Sequence, residues 1–357
     1  MMNSSRLHKN FKLNGRSFTS KKEILTFSKS NLPAVYSFLS DWFDDERFVS
    51  VQTSGSTGKP KIIQLKKEYM VNSAVATGRF FNLSEGTAVL LCLSPDYIAG
   101  RMMLVRALVL GWCIDIVEPS AHPLKGVAEE YDFCAMVPLQ LENSLKKIHR
   151  IKKIIVGGAP VSKVLLEKLQ NLSTEIFATY GMTETITHIA IKPLNGFSSS
   201  AEFISGSSYK TLPHINISKD IRNCLIINAP KISDAPIITN DIVELISEIE
   251  FNWLGRFDSI INSGGVKLIP EQIENKLSAL IDLRFFVAGI PDEKLGEKMV
   301  LVIEGVIQGN LKSQISNLKS IGKYEIPKEI YGVSQFKETE NGKMDRNKTI
   351  KALLEQP

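Results

Sequence analysis

The stretch Thr53-Ser54-Gly55-Ser56-Thr57-Gly58-Lys59-Pro60-Lys61 carries the most information in the chain. Glycines let a backbone turn sharply and approach a ligand closely, because no Cβ stands in the way. Hydroxyls and backbone N–H groups can surround phosphate oxygens, and two lysines add charge. The stretch is not the P-loop G-x-x-x-x-G-K-[ST], because Pro60 follows Lys59 and has no hydroxyl to offer a metal ion. A solvated Ser/Gly surface loop is the plain alternative. Four hydroxyls, two glycines and two lysines within nine residues favour phosphate.

Outward from this loop, short apolar runs alternate with helical patterns. Residues 88–93, 113–117, 133–137, 153–156 and 175–179 read as buried strands, and residues 99–110 as a helix with Leu104, Ala107 and Leu108 on one face. Gly157-Gly158-Ala159-Pro160 ends the fourth strand, and Pro160 opens the helical run V-S-K-V-L-L-E-K-L. Alternation of this kind predicts a mostly parallel sheet covered on both faces, with ligands where strands end and Gly-rich loops begin. Residues 225–227, 242–245 and 248–251 predict a distorted antiparallel part. Upstream, Phe38, Leu39, Trp42 and Phe43 form a helical stripe expected to pack onto the main domain.

The pattern changes near Asp258. Pro270 opens a helix with Ile273, Leu277 and Leu280 on one face, followed by strands at 285–288 and 299–303, a helix near 311–320 and a polar segment at 337–343. The expected fold class is α/β. A large N-terminal domain spans 1–257 and a small, mobile α+β C-terminal domain spans 258–357.

The composition, 43% hydrophobic and 23% charged over 357 residues, is that of a soluble globular protein and excludes disorder as the main state. The charge balance, 43 − 38 = +5, suits an anionic small ligand and is too weak to argue for nucleic acid. Cys92, Cys113, Cys134 and Cys224 form no C-x-x-C pair and read as free thiols in a reducing compartment. The first ten residues lack the apolar run of a signal peptide. The longest apolar stretch, 98–117, is broken by Arg101, Arg106 and Asp115, so no membrane span is expected. These features predict a cytoplasmic protein.

Three further motifs bear on chemistry. Tyr180-Gly181-Met182-Thr183-Glu184 follows a strand and offers a ring for a base and a carboxylate for a cation bridging phosphates. Thr239-Asn240-Asp241 offers an acid to ribose hydroxyls, although alone it reads as a turn. N-G-K-M-D-R at 341–346 alone reads as a solvated basic loop. Taken together and in order, the phosphate loop, G-G-A-P at 157–160, Y-G-M-T-E at 180–184, T-N-D at 239–241, G-R-F-D-S-I-I-N-S-G-G-V-K at 255–267 and N-G-K-M-D-R resemble the acyl-adenylate-forming family. That family holds the acyl- and aryl-CoA ligases, luciferases and peptide-synthetase adenylation domains.

The resemblance implies that a carboxylate attacks the α-phosphate of ATP, pyrophosphate leaves, and a thiol such as that of CoA then attacks the acyl-adenylate. It implies that Thr53, Ser54, Gly55, Ser56, Thr57, Gly58, Lys59 and Lys61 hold the β- and γ-phosphates. Gly157, Gly158, Ala159 and Gly181 would line the adenine pocket, with Tyr180 stacked on the base. Thr183 would contact the α-phosphate, Glu184 would ligate Mg²⁺, and Asp241 and Arg256 would bind ribose. Lys343 corresponds to the family's adenylation lysine. Asp258 falls at its hinge, and Gly264, Gly265 and Lys267 fall in the segment presented to the thiol channel.

The chain departs from the family pattern at Asn240 for Gly, Asn341 for Ser or Thr, and Tyr97 where many members have His. Only 52 residues precede the phosphate loop, so an N-terminal subdomain is trimmed and a second subunit could complete the pocket as a homodimer. The short length, V-P-L-Q-L at 137–141 and S-P-D-Y-I-A-G-R-M-M-L-V-R-A-L at 94–108 resemble the o-succinylbenzoate–CoA ligases of menaquinone synthesis within that family. The implied substrate keeps a free benzoate carboxylate. Arg101, Arg106 and His188 are candidates to receive it, with Tyr97 and Met182 beside the ring. Arg106 reads equally well as a surface salt bridge, and His188 as a helix-packing histidine. Another acyl- or aryl-CoA ligase, a carrier-protein-directed adenylating module and an inactive homologue acting as a binding subunit are the competing readings.

Overall fold

A computed structural model describes residues 7–52, 61–196, 208–307, 309–338 and 344–355. Its main body is built on one sheet of thirteen strands. The middle of that sheet is parallel: Lys12–Leu13, Cys113–Ile116, Ala88–Leu91, Tyr131–Met136, Ile151–Val156 and Glu175–Gly181 run side by side. Beyond Glu175–Gly181 every pairing is antiparallel, through His188–Pro193, Tyr209–Thr211, Glu250–Arg256, Ile237–Ser247 and Cys224–Asn228 to Asn216–Lys219. The α/β class read from the sequence is the one observed, with the parallel and antiparallel parts joined in a single ladder.

The central strands are largely apolar because both faces are covered. On one face, the helices Pro33–Phe43, Lys67–Phe80 and Ile98–Leu110 bury Phe38, Leu39, Trp42, Met70 and Leu104. On the other, Pro138–Ser144 and Lys163–Leu169 cover Leu90, Cys134 and Ile154. The stripe of Phe38, Leu39, Trp42 and Phe43 thus joins the main core as expected. Cys92, Cys134 and Cys224 are buried free thiols, and Cys113 is half-buried.

Several elements differ from the sequence reading; the strand read at 248–251, for one, runs over Glu250–Arg256. The helix after Gly157-Gly158-Ala159-Pro160 begins at Lys163, not at Pro160, because the Ser162 hydroxyl accepts the Leu165 N–H at 3.2 Å and caps it there. The lead-in also contains a hairpin, Lys12–Leu13 with Arg16–Ser17. Its two-residue loop, Asn14-Gly15, has φ of 49° and 75°, the double positive φ of a type I′ turn. This hairpin forms one edge of the sheet by pairing Lys12–Leu13 with Cys113–Ile116.

A second sheet begins after the short turn Phe257–Ser259. Its strands are Ile261–Ser263, Val266–Leu268, Phe285–Asp292, Gly296–Glu304 and Glu329–Val333. It has hydrophobic clusters of its own, around Ile273, Leu277 and Leu301 on one side and Phe286 and Phe336 on the other. No helix among the described residues is long and apolar enough to cross a membrane.

One close approach fixes the start of the helix Ile98–Leu110. A Cβ built on Gly100 would stand 2.2 Å from the Ser94 carbonyl oxygen and 2.6 Å from its carbonyl carbon, both backbone atoms with little freedom to move. Gly100→Ala should therefore lower the midpoint of urea unfolding, by about 1–3 kcal/mol of stability. An unchanged midpoint would show that the 94–100 segment can relax.

Candidate active site

The parallel strands deliver their C-terminal ends to one rim, where ligands bind in open α/β sheets. Gly157 and Gly158 follow Ile151–Val156, with Gly158 at φ 84°. Gly157 packs so tightly on Thr179 that a Cβ there would lie 2.5 Å from its Oγ1. Tyr180 and Gly181 end the neighbouring strand, Glu175–Gly181. Gly181 also admits no side chain, since a Cβ would meet the Thr187 carbonyl oxygen at 2.3 Å. Ala159 and Glu184 are exposed, and Thr183 and Met182 are half-buried.

Asp241 is the best-held acid of this rim. The Tyr180 hydroxyl donates to its Oδ2 at 2.6 Å, and the Trp253 indole N–H donates to its Oδ1 at 3.1 Å. An Arg256 nitrogen stands 3.8 Å from the same Oδ1. Burial, and then the adjacent Asp241 charge, push the Tyr180 phenol well above its usual range. The Tyr180 ring lies edge-on to Phe251, 5.1 Å between centroids, and tilted 5.9 Å from Tyr209. The turn itself is pinned from two sides. Thr239 Oγ1 accepts the Asp241 N–H at 3.0 Å and donates to the Leu225 carbonyl. Arg222 donates to Asn240 Oδ1 at 3.0 Å and to the Thr239 carbonyl at 3.1 Å. Asn240 in place of glycine is thus accommodated by an arginine that the sequence reading did not single out.

A second cluster lies beneath the rim. Arg106, on the helix Ile98–Leu110, is 1% exposed and has no acidic partner among the described residues. Its Nη2 reaches Thr187 Oγ1 at 3.4 Å and His188 Nδ1 at 3.5 Å, its Nη1 lies 3.7 Å from Met103 Sδ, and its Nε has no partner. Burial pushes this guanidinium down to about 9. The reading of Arg106 as a surface salt bridge is therefore wrong.

His188 does not sit on a helix either; it opens the strand His188–Pro193. Arginine has only donors, so His188 Nδ1 accepts and the ring proton sits on Nε2, 3.4 Å from Thr77 Oγ1. Thr77 in turn donates to the Ser73 carbonyl at 3.1 Å. Burial first, and the Arg106 charge second, hold the imidazole well below its usual range, so it stays neutral. Thr77 and Thr187 are the partners the sequence reading missed. The positive φ of Ile186, 67°, shapes the turn that aims Thr187 and His188 inward.

Arg101 lies outside this cluster. Its Nε and Nη1 donate to the Pro95 and Ser50 carbonyls at 2.9 and 2.8 Å, and its guanidinium stacks 5.5 Å from the Phe38 ring centroid. It ties the strand Phe48–Gln52 to the helix Ile98–Leu110. Tyr97 is exposed at the N-terminus of that helix.

Among the remaining candidates, Lys61 is exposed beside the strand Ile62–Lys66, which pairs with Phe48–Gln52. Thr53, Ser54, Gly55, Ser56, Thr57, Gly58, Lys59 and Lys343 lie outside the described residues. Asp258 forms a two-pronged pair with Arg256, at 3.0 and 2.9 Å, and this arginine holds its carboxyl below the usual range. Gly264 and Gly265 turn a hairpin at φ 59° and 82°, with Lys267 exposed on its second strand.

Strand-end glycines, an aromatic–carboxylate pair and a buried cation define the layout of a nucleotide-dependent α/β enzyme. The chain belongs to the AMP-binding enzyme family, whose model matches residues 38–214. It is 38% identical to an acyl-CoA synthetase (AMP-forming)/AMP-acid ligase II-like protein from Dyadobacter fermentans. That alignment covers 94% of this chain and 99% of that one, at a TM-score of 0.61. It is 27% identical over 334 residues to the 2-succinylbenzoate–CoA ligase of Listeria monocytogenes, covering 87% of this chain and 71% of that protein. The fold is also that of o-succinylbenzoate CoA synthetase from Bacillus subtilis, solved with its acyl-adenylate, at 22% identity and a TM-score of 0.71 over 86% of this chain and 69% of that one.

The neutral state of His188 has a consequence for stability. Its folded pKa lies below the unfolded value, so as pH falls through about 6.5 the unfolded chain takes up a proton that the folded chain refuses. Wild type should lose stability faster than His188→Gln between pH 7.5 and 5.5, by up to about 1.4 kcal/mol per pH unit. Identical pH slopes in urea titrations would show that the imidazole takes up its proton in the fold as readily as in the unfolded chain.

Proposed function

We propose that the acid activated by this AMP-forming acid–thiol ligase is 2-succinylbenzoate, with ATP and CoA as co-substrates, as a step of menaquinone synthesis. The observation that carries the reading is Arg106. A buried cation with an unpartnered Nε and no acid near it among the described residues is costly unless an anion arrives. A substrate with two carboxylates meets that need, because one reacts at the nucleotide while the other is held at a distance. His188 and Thr187 orient the guanidinium toward the free carboxylate, and Met182 and Tyr97 flank the ring.

In the first half-reaction the succinyl carboxylate oxygen bonds to the α-phosphorus of ATP and the bond to pyrophosphate breaks. In the second, the CoA thiol loses its proton and its sulfur bonds to the acyl carbon, releasing AMP. Negative charge builds on phosphate and carboxylate oxygens, so positioned cations and donors do most of the work. We assign the phosphates to Thr53, Ser54, Ser56, Thr57, Lys59 and Lys61, the α-phosphate to Thr183, and the developing charge to Lys343. Adenine sits against Gly157, Gly158, Ala159 and Tyr180, and ribose on Asp241 with Arg256. No group of three or more acidic, His or Cys side chains among the described residues could hold a metal ion. The exposed Glu184 fits a Mg²⁺ ion shared with phosphate oxygens, rather than one caged by protein. That ion neutralises phosphate charge when bound.

We place the domain boundary at 257/258, with Asp258 as the hinge about which residues 258–357 turn between the two half-reactions. Gly264, Gly265 and Lys267 then face the thiol.

Thioester formation with ATP, Mg²⁺ and CoA tests the substrate, comparing 2-succinylbenzoate with benzoate and short fatty acids. Product from 2-succinylbenzoate alone supports the assignment, and preference for another acid discards it. Arg106→Gln should raise KM for 2-succinylbenzoate about 10- to 100-fold, the worth of a charged hydrogen bond, and leave KM for ATP little changed. Lys343→Ala should abolish adenylate formation yet spare thioester formation from supplied acyl-adenylate. Equal loss of both half-reactions would overturn the role given to Lys343.

A further inference from the structure

The acid assigned to ribose is held by one residue that belongs to none of the motifs. An ionised carboxylate offers about four lone-pair directions, two on each oxygen. Tyr180 takes one on Oδ2 and the Trp253 indole takes one on Oδ1. One acceptor direction is left on each oxygen, and a vicinal diol brings one donor for each. The indole N–H is a donor only, so it cannot compete with the acid for hydroxyl protons.

Trp253 reaches Asp241 through an irregularity in the ladder. Residues 253 and 256 are three apart and would face opposite sides of a regular strand. The register runs Val243↔Trp253 and then Asp241↔Arg256, so three steps on one strand match two on the other. The extra residue is taken up beside Gly255, at φ 152°, where a Cβ would come within 2.5 Å of Ile269 Cγ2 and of Glu271 Oε2. This bulge puts the Trp253 indole and the Arg256 guanidinium on the carboxylate's side together.

We propose that Trp253 is a positioning residue for nucleotide binding: its indole N–H fixes the Asp241 carboxylate so that the two free lone-pair directions meet the 2′- and 3′-hydroxyls of ribose. The proposal rests on the reading of Asp241 as the ribose acid. Trp42 and Trp112, the other two tryptophans, are buried in the main core, whereas Trp253 is half-buried at the site.

Binding of ATP and of 2′,3′-dideoxy-ATP to the full chain separates the possibilities. Wild type should prefer ATP, and Asp241→Ala should abolish the preference. Trp253→Phe should shrink it about tenfold, the worth of one hydrogen bond to a charged group, while dideoxy-ATP binds as before. Equal weakening of both nucleotides by Trp253→Phe would mark a purely structural role and overturn the proposal, as would a preference left intact. A preference that survives Asp241→Ala would overturn the ribose reading itself. A readout that needs no Trp253 variant is the indole N–H region of the proton–nitrogen NMR spectrum, where Asp241→Ala should shift one of three signals. No shift there would overturn the proposal as well.

Discussion

The hydrogen-bonded ladder that runs unbroken through thirteen strands is the constraint on which the rest of the molecule depends. Neighbouring strands share its backbone hydrogen bonds, so one strand cannot shift without moving its neighbours. The parallel half fixes the rim where Gly157 and Gly158 emerge, and the antiparallel half carries Asp241 and Arg256 to that rim. Tyr180 sits at the junction of the two halves, on the last parallel strand, and its hydroxyl reaches across to the antiparallel side. A site assembled across such a junction takes its geometry from both halves of the sheet.

Arg106 stands out as a buried charge with no acidic partner among the described residues. Evolution commonly retains a buried cation only when something compensates its desolvation. Among the described residues the compensation is partial: two hydroxyl or ring acceptors at the long end of hydrogen-bond distance, and a thioether. His188 contributes as a neutral acceptor, since a second positive charge beside Arg106 would compound the problem. The described neighbours therefore hold the guanidinium in place without discharging it.

Much of this was legible in the sequence because it is local. Apolar runs flanked by turn residues reported the buried strands, and the order of short motifs reported the family. The start of the helix at Lys163 was legible too, in Ser162, but the proline two residues earlier was the louder signal. The hairpin at Asn14-Gly15 carried the usual turn dipeptide, obscured by strands only two residues long. What could not be read is long-range or irregular. Arg106 meets His188 across 82 positions, and nothing in the spacing of either announces it. Trp253 turns toward Asp241 only because the strand bulges at Gly255, which reverses the alternation on which any pattern reading relies.

The small hairpin at the sheet edge bears on how the chain comes off the ribosome. Lys12–Leu13 is made before its partner: among the described residues it pairs with Arg16–Ser17 and with Cys113–Ile116, the latter about a hundred residues later. At a synthesis rate of about 5–20 residues per second, its backbone groups wait several seconds for that partner. Cys113–Ile116 itself joins Ala88–Leu91, whose other neighbour is Tyr131–Met136. This hairpin edge can therefore dock only after Cys113–Ile116 has been made. An edge left open for that interval is a template for pairing with another nascent chain. Lys12 and Arg16, exposed on these strands, put positive charge where such pairing would begin.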